Sequence, residues 1–320
     1  MMQAQLKLPS PLQYLDTWQG VEIWVKRDDQ IHPVVSGNKG RKLRYFAEQA
    51  RREGAQELLT FGGAYSNHLA ATAYLGRALG LATAGLVRGE EVTHNPTLDY
   101  CRRQGMRLLP LKRSDYALKD DPTFLEGLRE WAPQALVIPE GGKGALGVKG
   151  VRALYEELER PHYFTDVAVC AGTGTTAAGL LMAPWAVPLW VFPALKGGLF
   201  LQKAIASWAY AYEEKVAGPQ KAGQKLRQQL QLVTDYHLGG YARVNDALIA
   251  FMNDFYQKYQ VPLDPVYTGK LFFGLSDLLT SGRWQGGQRL LVIHTGGLQG
   301  IQGINEQRAR KGQSLLNYEA

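Results

Sequence analysis

A chain of 320 residues, 45% hydrophobic and 20% charged, lies in the range of folded globular proteins and excludes disorder. Its formal net charge of +7 is spread over scattered pairs such as Arg51-Arg52, Arg102-Arg103 and Lys112-Arg113. That dispersion reads as a solvated basic surface rather than a nucleic-acid groove, which would gather charge with interleaved aromatics. In chain order, short aliphatic runs at Leu58 to Phe61, Ala82 to Val87, Arg107 to Leu111 and Leu136 to Pro139 are predicted strands. Amphipathic segments at Asn67 to Leu79, Pro96 to Gln104 and Thr123 to Ala132 are predicted helices between them. A second series follows, with strands near Val167 to Ala171, Leu189 to Phe192, Leu230 to Thr234 and Leu290 to Ile293. Its helices are predicted near Thr175 to Met182, Leu199 to Val216, Val244 to Tyr259 and Lys270 to Ser281, and Ala217 to Lys225 reads as a surface loop. Alternation of this kind implies two α/β units with parallel sheets, divided near Glu156 to Asp166.

No run of about 18 apolar residues is present, and the first residues lack the apolar stretch of a signal peptide, so a cytoplasmic location and no membrane partner are expected. The two cysteines, Cys101 and Cys170, form no Cys-x-x-Cys pair and stand near no histidine pair, so neither a disulfide framework nor a metal site is expected. Cys170 reads as a strand-interior residue.

In open α/β sheets ligands bind beyond the carboxyl ends of strands, which directs attention to the glycine-rich loops. Ser36-Gly37-Asn38-Lys39-Gly40-Arg41-Lys42 opens a predicted helix and brings Lys39 and Lys42 onto one face. A free lysine is neutral in only about one molecule in 2,500 at pH 7, and only the neutral amine attacks a carbonyl. Crowding by cations and burial both raise that fraction. Spacing alone reads first as a solvated basic helix start, and lysine chemistry is the alternative it leaves open.

Phe61-Gly62-Gly63-Ala64-Tyr65-Ser66-Asn67-His68 is a strand-to-helix turn, either a capped helix or a ligand contact. Gly172-Thr173-Gly174-Thr175-Thr176 follows a strand and opens a helix, so it can cradle a phosphate, with plain tight packing as the alternative. It matches neither the Gly-x-Gly-x-x-Gly of a dinucleotide site nor a P-loop. Tyr267, between Asp264-Pro265 and a helix, is either a core ring or a ligand-facing one. Thr295, in His294-Thr295-Gly296-Gly297, reads first as a turn hydroxyl and second as a ligand contact. Tyr241 is a lesser candidate.

Taken together, seven segments in order carry a resemblance: Lys26-Arg27-Asp28-Asp29, Ser36-Gly37-Asn38-Lys39-Gly40-Arg41-Lys42-Leu43, Gly62-Gly63-Ala64-Tyr65-Ser66-Asn67-His68, Pro139-Glu140-Gly141-Gly142, Ala171-Gly172-Thr173-Gly174-Thr175-Thr176, Asp264-Pro265-Val266-Tyr267-Thr268-Gly269-Lys270 and His294-Thr295-Gly296-Gly297. They resemble the pyridoxal-phosphate enzymes of the 1-aminocyclopropane-1-carboxylate deaminase and D-cysteine desulfhydrase family. The resemblance implies an α/β fold of the tryptophan-synthase β type, with two open twisted parallel-sheet domains and the active site in the cleft between them. A small domain of residues 46–155 would be inserted into a large one of 1–45 and 156–320. It implies pyridoxal 5'-phosphate as cofactor, a small amino acid as substrate and a homodimer.

By the same resemblance, Lys39 forms the Schiff base, Asn67 bonds the cofactor's ring oxygen, and Gly172, Thr173, Gly174, Thr175 and Thr176 hold the phosphate with Lys42. Thr295 faces the pyridine nitrogen. Ser66 meets the substrate carboxylate or assists proton transfer, with Tyr65, Asn67 and His68 at the substrate site. Tyr267 and Tyr241, 26 residues apart, flank the substrate. Deaminases of the family carry a glutamate after the tyrosine matching Tyr267 and a leucine at the position of Thr295. Here Thr268 and Thr295 stand there, which resembles the desulfhydrase side. The activity implied is elimination from D-cysteine, giving pyruvate, ammonia and hydrogen sulfide. The alternatives are the deaminase, a racemase of the same fold, or a pyridoxal-phosphate carrier or regulatory protein. Tyr65 departs from the glutamine common in the family, and Leu69-Ala70-Ala71 from a more polar stretch, so the pocket is expected to be reshaped.

Overall fold

The computed structural model describes residues 6–92, 94–219, 221–284 and 286–318. It begins with an antiparallel hairpin, β1 (Leu12–Trp18) and β2 (Val21–Lys26), turned at Gln19-Gly20, both with positive φ. Helix α1 (Asn38–Glu53) follows and stops at Gly54, whose left-handed conformation lets its N–H reach the carbonyls of Ala50 and Arg51.

The chain then builds a sheet from local units: β3 (Glu57–Gly62), α2 (Asn67–Leu79), β4 (Ala82–Arg88), α3 (Pro96–Arg103), β5 (Met106–Leu111), α4 (Arg113–Ala117), α5 (Pro122–Trp131) and β6 (Ala135–Ile138). All four strands are parallel, in the order β5-β4-β3-β6. Helices α2, α3 and α5 begin where the sequence supplies a cap, with Ser66, Asn95 and Asp121 accepting first-turn amides.

Helix α6 (Ala145–Arg152) leads to β7 (Asp166–Ala171), α7 (Thr175–Leu181), β8 (Leu189–Pro193), α8 (Phe200–Tyr212), α9 (Ala222–Gln228) and β9 (Leu230–Leu232). The chain continues through α10 (Asp246–Tyr259), α11 (Thr268–Thr280), β10 (Arg289–Ile293) and α12 (Gly300–Ala309). Its sheet has the order β1-β2-β10-β7-β8-β9. Strand β10 pairs in parallel with β2 on one side and β7 on the other. Side chains alternate across these strands. Val167, Val169, Val191, Leu291 and Ile293 enter one core with residues of α6, α7 and α8. Ala168, Cys170, Phe192, Leu290 and Val292 enter the other with α10 and α11. No helix among the described residues is long and apolar enough to cross a membrane.

Under the first turns of α1 lies a buried ionic knot. The Arg41 guanidinium meets Asp28 at 2.5 and 2.6 Å and Glu157 at 2.7 and 3.0 Å, while Lys26 bonds the Ser10 carbonyl at 2.6 Å and faces Glu157 at 3.2 Å. It ties α1 to β2 and to the turn after α6.

Several expectations are corrected. The six-stranded sheet carries an antiparallel edge, because β1 returns from β2 through a tight turn. The hairpin, α6, α9 and α12 were not anticipated, and α9 occupies the end of the stretch read as a surface loop, Ala217 to Lys225. The α8 segment ends at Tyr212 and continues as a wider turn over Glu213–Ala217. Helix α11 starts at Thr268, two residues before the expected Lys270, because the Asp264 carboxylate accepts the amide of its first residue. The strand expected through Thr234 ends at Leu232.

Candidate active site

The parallel strands β2, β10, β7 and β8 end on one edge, and the loops leaving them converge. Gly37, before α1, has a φ of +60° and lies so close to the chain after β10 that a Cβ there would sit 1.8 Å from the Thr295 carbonyl oxygen. Only glycine fits both the conformation and the approach. Asn38 then stitches the site: its amide donates to the Thr295 carbonyl at 3.2 Å and its side-chain nitrogen to Thr176 Oγ1 at 3.0 Å. Thr295 Oγ1 in turn lies 3.1 Å from Cys170 Sγ, at the end of β7. Burial pushes the Cys170 thiol up to about 12, which leaves it a neutral packing group.

Lys39 follows Asn38 into this junction, and its Nζ donates to Asn38 Oδ1 at 3.0 Å. Burial pushes its pKa down to about 8, opposed by Cys170, Asp264 and Glu140. At pH 7 that makes about one amine in ten neutral, against about one in 2,500 for a free lysine. Burial is the cause, whereas crowding acts on the neighbour: Lys42 is held well below its usual range by burial and then by the charge of Lys39. The other buried lysines are committed elsewhere. Lys26 serves the ionic knot, and Lys270 donates to backbone carbonyls of His237 and Gly240.

The loop after β7 brings Thr173, Thr175 and Thr176 together beneath Gly172 and Gly174. Thr173 Oγ1 lies 3.4 Å from Thr175 Oγ1, and the Thr173 carbonyl accepts from Trp208 Nε1 at 2.9 Å, which fixes the loop against α8. The Gly141-Gly142 turn after β6 packs between this loop and Lys42: a Cβ on Gly141 would meet Thr173, and one on Gly142 would meet the Lys42 stem.

From the four-stranded sheet come Tyr65, Ser66, Asn67 and His68. Ser66 Oγ accepts the Leu69 amide at 3.3 Å. Asn67 reaches across to the loop after β10, its Nδ2 2.9 Å from where a Cβ on Gly297 would lie, and its buried Oδ1 has no partner. His68 turns inward. Thr60 Oγ1 donates to the Ile138 carbonyl at 2.7 Å, so His68 Nε2 is the donor in its 2.8 Å contact with Thr60. Burial, with Lys39 and Lys42 nearby, keeps the ring well below its usual pKa and neutral. Tyr65 lays its ring over Gly303 of α12, where a Cβ would come within 2.7 Å, and stays half exposed.

On the far side, Tyr267 puts its hydroxyl against the Gly172 backbone, and its ring meets Tyr241 edge to face at 6.1 Å. Burial and the Tyr241 neighbour hold the Tyr267 hydroxyl well above its usual range, so it stays protonated as a donor. Asp264 fixes it: Oδ1 accepts the amides of Val266 and Tyr267 at 2.9 and 2.8 Å, and Oδ2 accepts the amide and hydroxyl of Thr268 at 2.8 Å each. Asn38, Asp264 and the Gly141-Gly142 turn were given no individual role in the site by sequence reasoning, and Cys170, read as a strand-interior residue, does lie within β7. Asp264 had a local signal, an aspartate two to four residues before the amides it accepts.

A family model described as "Pyridoxal-phosphate dependent enzyme" matches residues 4–296 of the chain. The chain belongs to this family of pyridoxal-phosphate-dependent enzymes. A Pyrococcus abyssi protein named "Putative 1-aminocyclopropane-1-carboxylate deaminase" is 32% identical over 308 residues, covering 91% of this chain and 90% of its own. A "D-cysteine desulfhydrase" of Salmonella schwarzengrund is 32% identical over 309 residues, covering 90% and 92%. The crystal structure of an "ACC deaminase homologue" superposes with a TM-score of 0.77 at 28% identity, covering 93% of this chain and 92% of that one.

The residues gathered here fit the family's cofactor. Asn67 Oδ1 is a buried polar atom left without a partner, Lys39 supplies an amine brought toward neutrality, and the loop beside Tyr267 is lined by threonine hydroxyls. An aldehyde, a ring hydroxyl and a phosphate on one planar ligand would answer these three features.

Proposed function

We propose that this pyridoxal-phosphate enzyme removes a β-substituent from a small amino acid, with D-cysteine as the leading substrate and pyruvate, ammonia and hydrogen sulfide as products after uptake of one water. The observation that carries the reading is that, among the described residues, no carboxylate is bonded to the Thr295 hydroxyl. The hydroxyl of Thr295 faces Cys170, Thr268 is bound to Asp264, and Asp264 itself accepts four donors. A neutral hydroxyl does not hold a proton on a pyridine nitrogen as a carboxylate does, which suits an easy elimination better than opening a cyclopropane that lacks an α-proton.

When bound, the cofactor withdraws electrons from the substrate's α-carbon. Lys39 would hold it through Nζ, with Asn67 at its ring hydroxyl and Gly172, Thr173, Gly174, Thr175, Thr176 and Lys42 at its phosphate. With substrate in place, the Lys39 amine would take the α-proton as general base, a role its lowered pKa suits near neutral pH. Ser66 and Asn67, at the start of α2, would bind the substrate carboxylate. Tyr267, protonated and braced by Asp264, would donate toward the departing sulfur, with Tyr241 closing that side. His68, neutral and bonded to Thr60, would orient the start of α2 from behind. Tyr65 would bound the substrate side of the cleft from its seat on Gly303.

We further propose a cytoplasmic homodimer in which residues 46–155 form the inserted small domain. The four-stranded sheet supports this, drawing its strands from within 57–138, although position 46 lies inside α1. The test is product identity. Purified holoenzyme is offered D-cysteine, L-cysteine, 1-aminocyclopropane-1-carboxylate and D-serine, with sulfide, 2-oxo acid, ammonia and inverted amino acid assayed. Sulfide and pyruvate from D-cysteine are expected. 2-Oxobutanoate from the cyclopropane, or inversion without ammonia, would overturn the reading, and Lys39→Ala should abolish borohydride-fixable cofactor.

A further inference from the structure

Lys270 stands in the first turn of α11 and is buried, yet no carboxylate lies within ion-pair distance of it among the described residues. Its three ammonium protons are directed at backbone oxygens: Gly240 at 2.7 Å, His237 at 2.8 Å and Ala194 at 3.4 Å. Ala194 immediately follows β8, while His237 and Gly240 belong to the loop between β9 and α10, the loop that presents Tyr241.

This loop does not hold its shape through backbone preference. Leu238, Gly239, Gly240 and Ala242 all have positive φ, at 53°, 93°, 130° and 54°. A left-handed conformation is disfavoured for a residue with a Cβ, such as Leu238 and Ala242, so such a segment persists only where surrounding contacts over-determine it. Within the loop, Gly239 donates to His237 Nδ1 at 2.9 Å, Gly240 to the His237 carbonyl at 3.0 Å and Arg243 to the Gly240 carbonyl at 3.2 Å. The Lys270 ammonium joins two of these same carbonyls from beneath and anchors them to β8. Burial pushes the Lys270 pKa down to about 8, opposed by the charge of Asp264, while the three carbonyls take its N–H donors.

The location matters because Tyr267 lies three residues earlier, at the start of the same helix. One turn of α11 therefore carries one tyrosine and tethers the loop of the other. The loop's own hydrogen bonds leave the Tyr241 ring, which is 54% exposed, unfixed; besides the tether, it is held at Tyr267 by the edge-to-face contact and by the interaction of the two hydroxyls.

We propose that Lys270 is a positioning residue, which clamps the 237–240 loop onto β8 and thereby sets Tyr241 edge to face against Tyr267 at the substrate side of the cleft. The placement stands on the structure alone, while its effect on turnover rests on the reading that these tyrosines flank the substrate.

The experiment incorporates 3-fluorotyrosine at position 241 in the holoenzyme and records its fluorine resonance in the native protein and in Lys270→Met, alongside melting temperature. The native protein should show one line shifted by the Tyr267 ring. Lys270→Met should move that line toward the position of free fluorotyrosine, and an unchanged line in folded Lys270→Met overturns the proposal. If the methionine variant does not fold, Lys270→Gln, which keeps one amide for the carbonyls, is read the same way.

In parallel, kcat and KM for D-cysteine are measured for Lys270→Met, Tyr241→Phe and the double variant. A 1 Å misplacement costs up to about 100-fold in rate, so a loss in kcat/KM of about 10- to 100-fold is expected for Lys270→Met. The double variant should be no worse than the more impaired single one; multiplied losses would show that Lys270 acts otherwise than through Tyr241. Should Tyr241→Phe leave turnover unchanged while the fluorine line still moves in Lys270→Met, the substrate role of Tyr241 fails and the clamp stands.

Discussion

Replacing Asp264 by Asn tests how firmly Tyr267 is placed. The native carboxylate accepts four donors from Val266, Tyr267 and Thr268, while burial pushes its pKa up against them. An amide offers one oxygen and one NH2 group. If its oxygen keeps the Val266 and Tyr267 amides, the NH2 group faces the Thr268 amide and the Thr268 hydroxyl, which already accepts the residue 264 amide. Both Thr268 donors then lose their acceptor, at about 1–3 kcal/mol each. The two remaining bonds weaken because they lose the charge. The variant also loses the burial penalty of an ionised carboxylate, so the net loss stays near about 1–3 kcal/mol. At about 1.5 °C per kcal/mol for a chain of 320 residues, the melting temperature should fall by roughly 1.5–5 °C. A displaced Tyr267 should lower kcat by about 10- to 100-fold. A third readout has a fixed sign: Asp264 raises the Lys39 pKa, so its neutralisation should move the Lys39 midpoint below about 8. Wild-type melting and turnover, or an upward shift of that midpoint, would refute the reasoning.

Two further outcomes follow from buried groups. Lys39 has a folded pKa of about 8, so the rate at which cofactor-free protein takes up pyridoxal phosphate should rise with pH to about 8 and level off above it; stopped-flow absorbance reads this, and a midpoint near 10 contradicts it. Arg41→Met leaves Asp28 buried without its guanidinium and should cost about 3–5 kcal/mol in chemical denaturation. Adding Asp28→Asn should recover part of that loss, whereas further destabilisation would argue against an ion-pair origin.

Much of the fold was legible because the central strands β3, β4, β7, β8 and β10 are buried on both faces and read as largely apolar runs. Helix α2 was bounded correctly because Ser66 and Gly80 punctuate its two ends. The hairpin was missed because β1, a half-exposed edge strand, mixes Gln, Asp and Thr among its aromatics. Helices α6 and α12 each contain two glycines, which blur the helical pattern. In the site, the lysine, the threonine loop and the Ser-Asn pair were visible as motifs. The cause of the Lys39 shift was only partly legible, because burial depends on residues far along the chain. The work of Lys270 was invisible, since its partners are backbone carbonyls and carry no residue signature.

Strand β10 bridges β2 and β7, two segments about 140 residues apart in sequence. The four-stranded sheet can form from neighbouring segments as they leave the ribosome, but the seat of Lys39 against Thr295 must await a strand made near the end of synthesis. Until then the lysine and the threonine loop are parts without a common floor, and the nascent chain has no formed pocket for its cofactor.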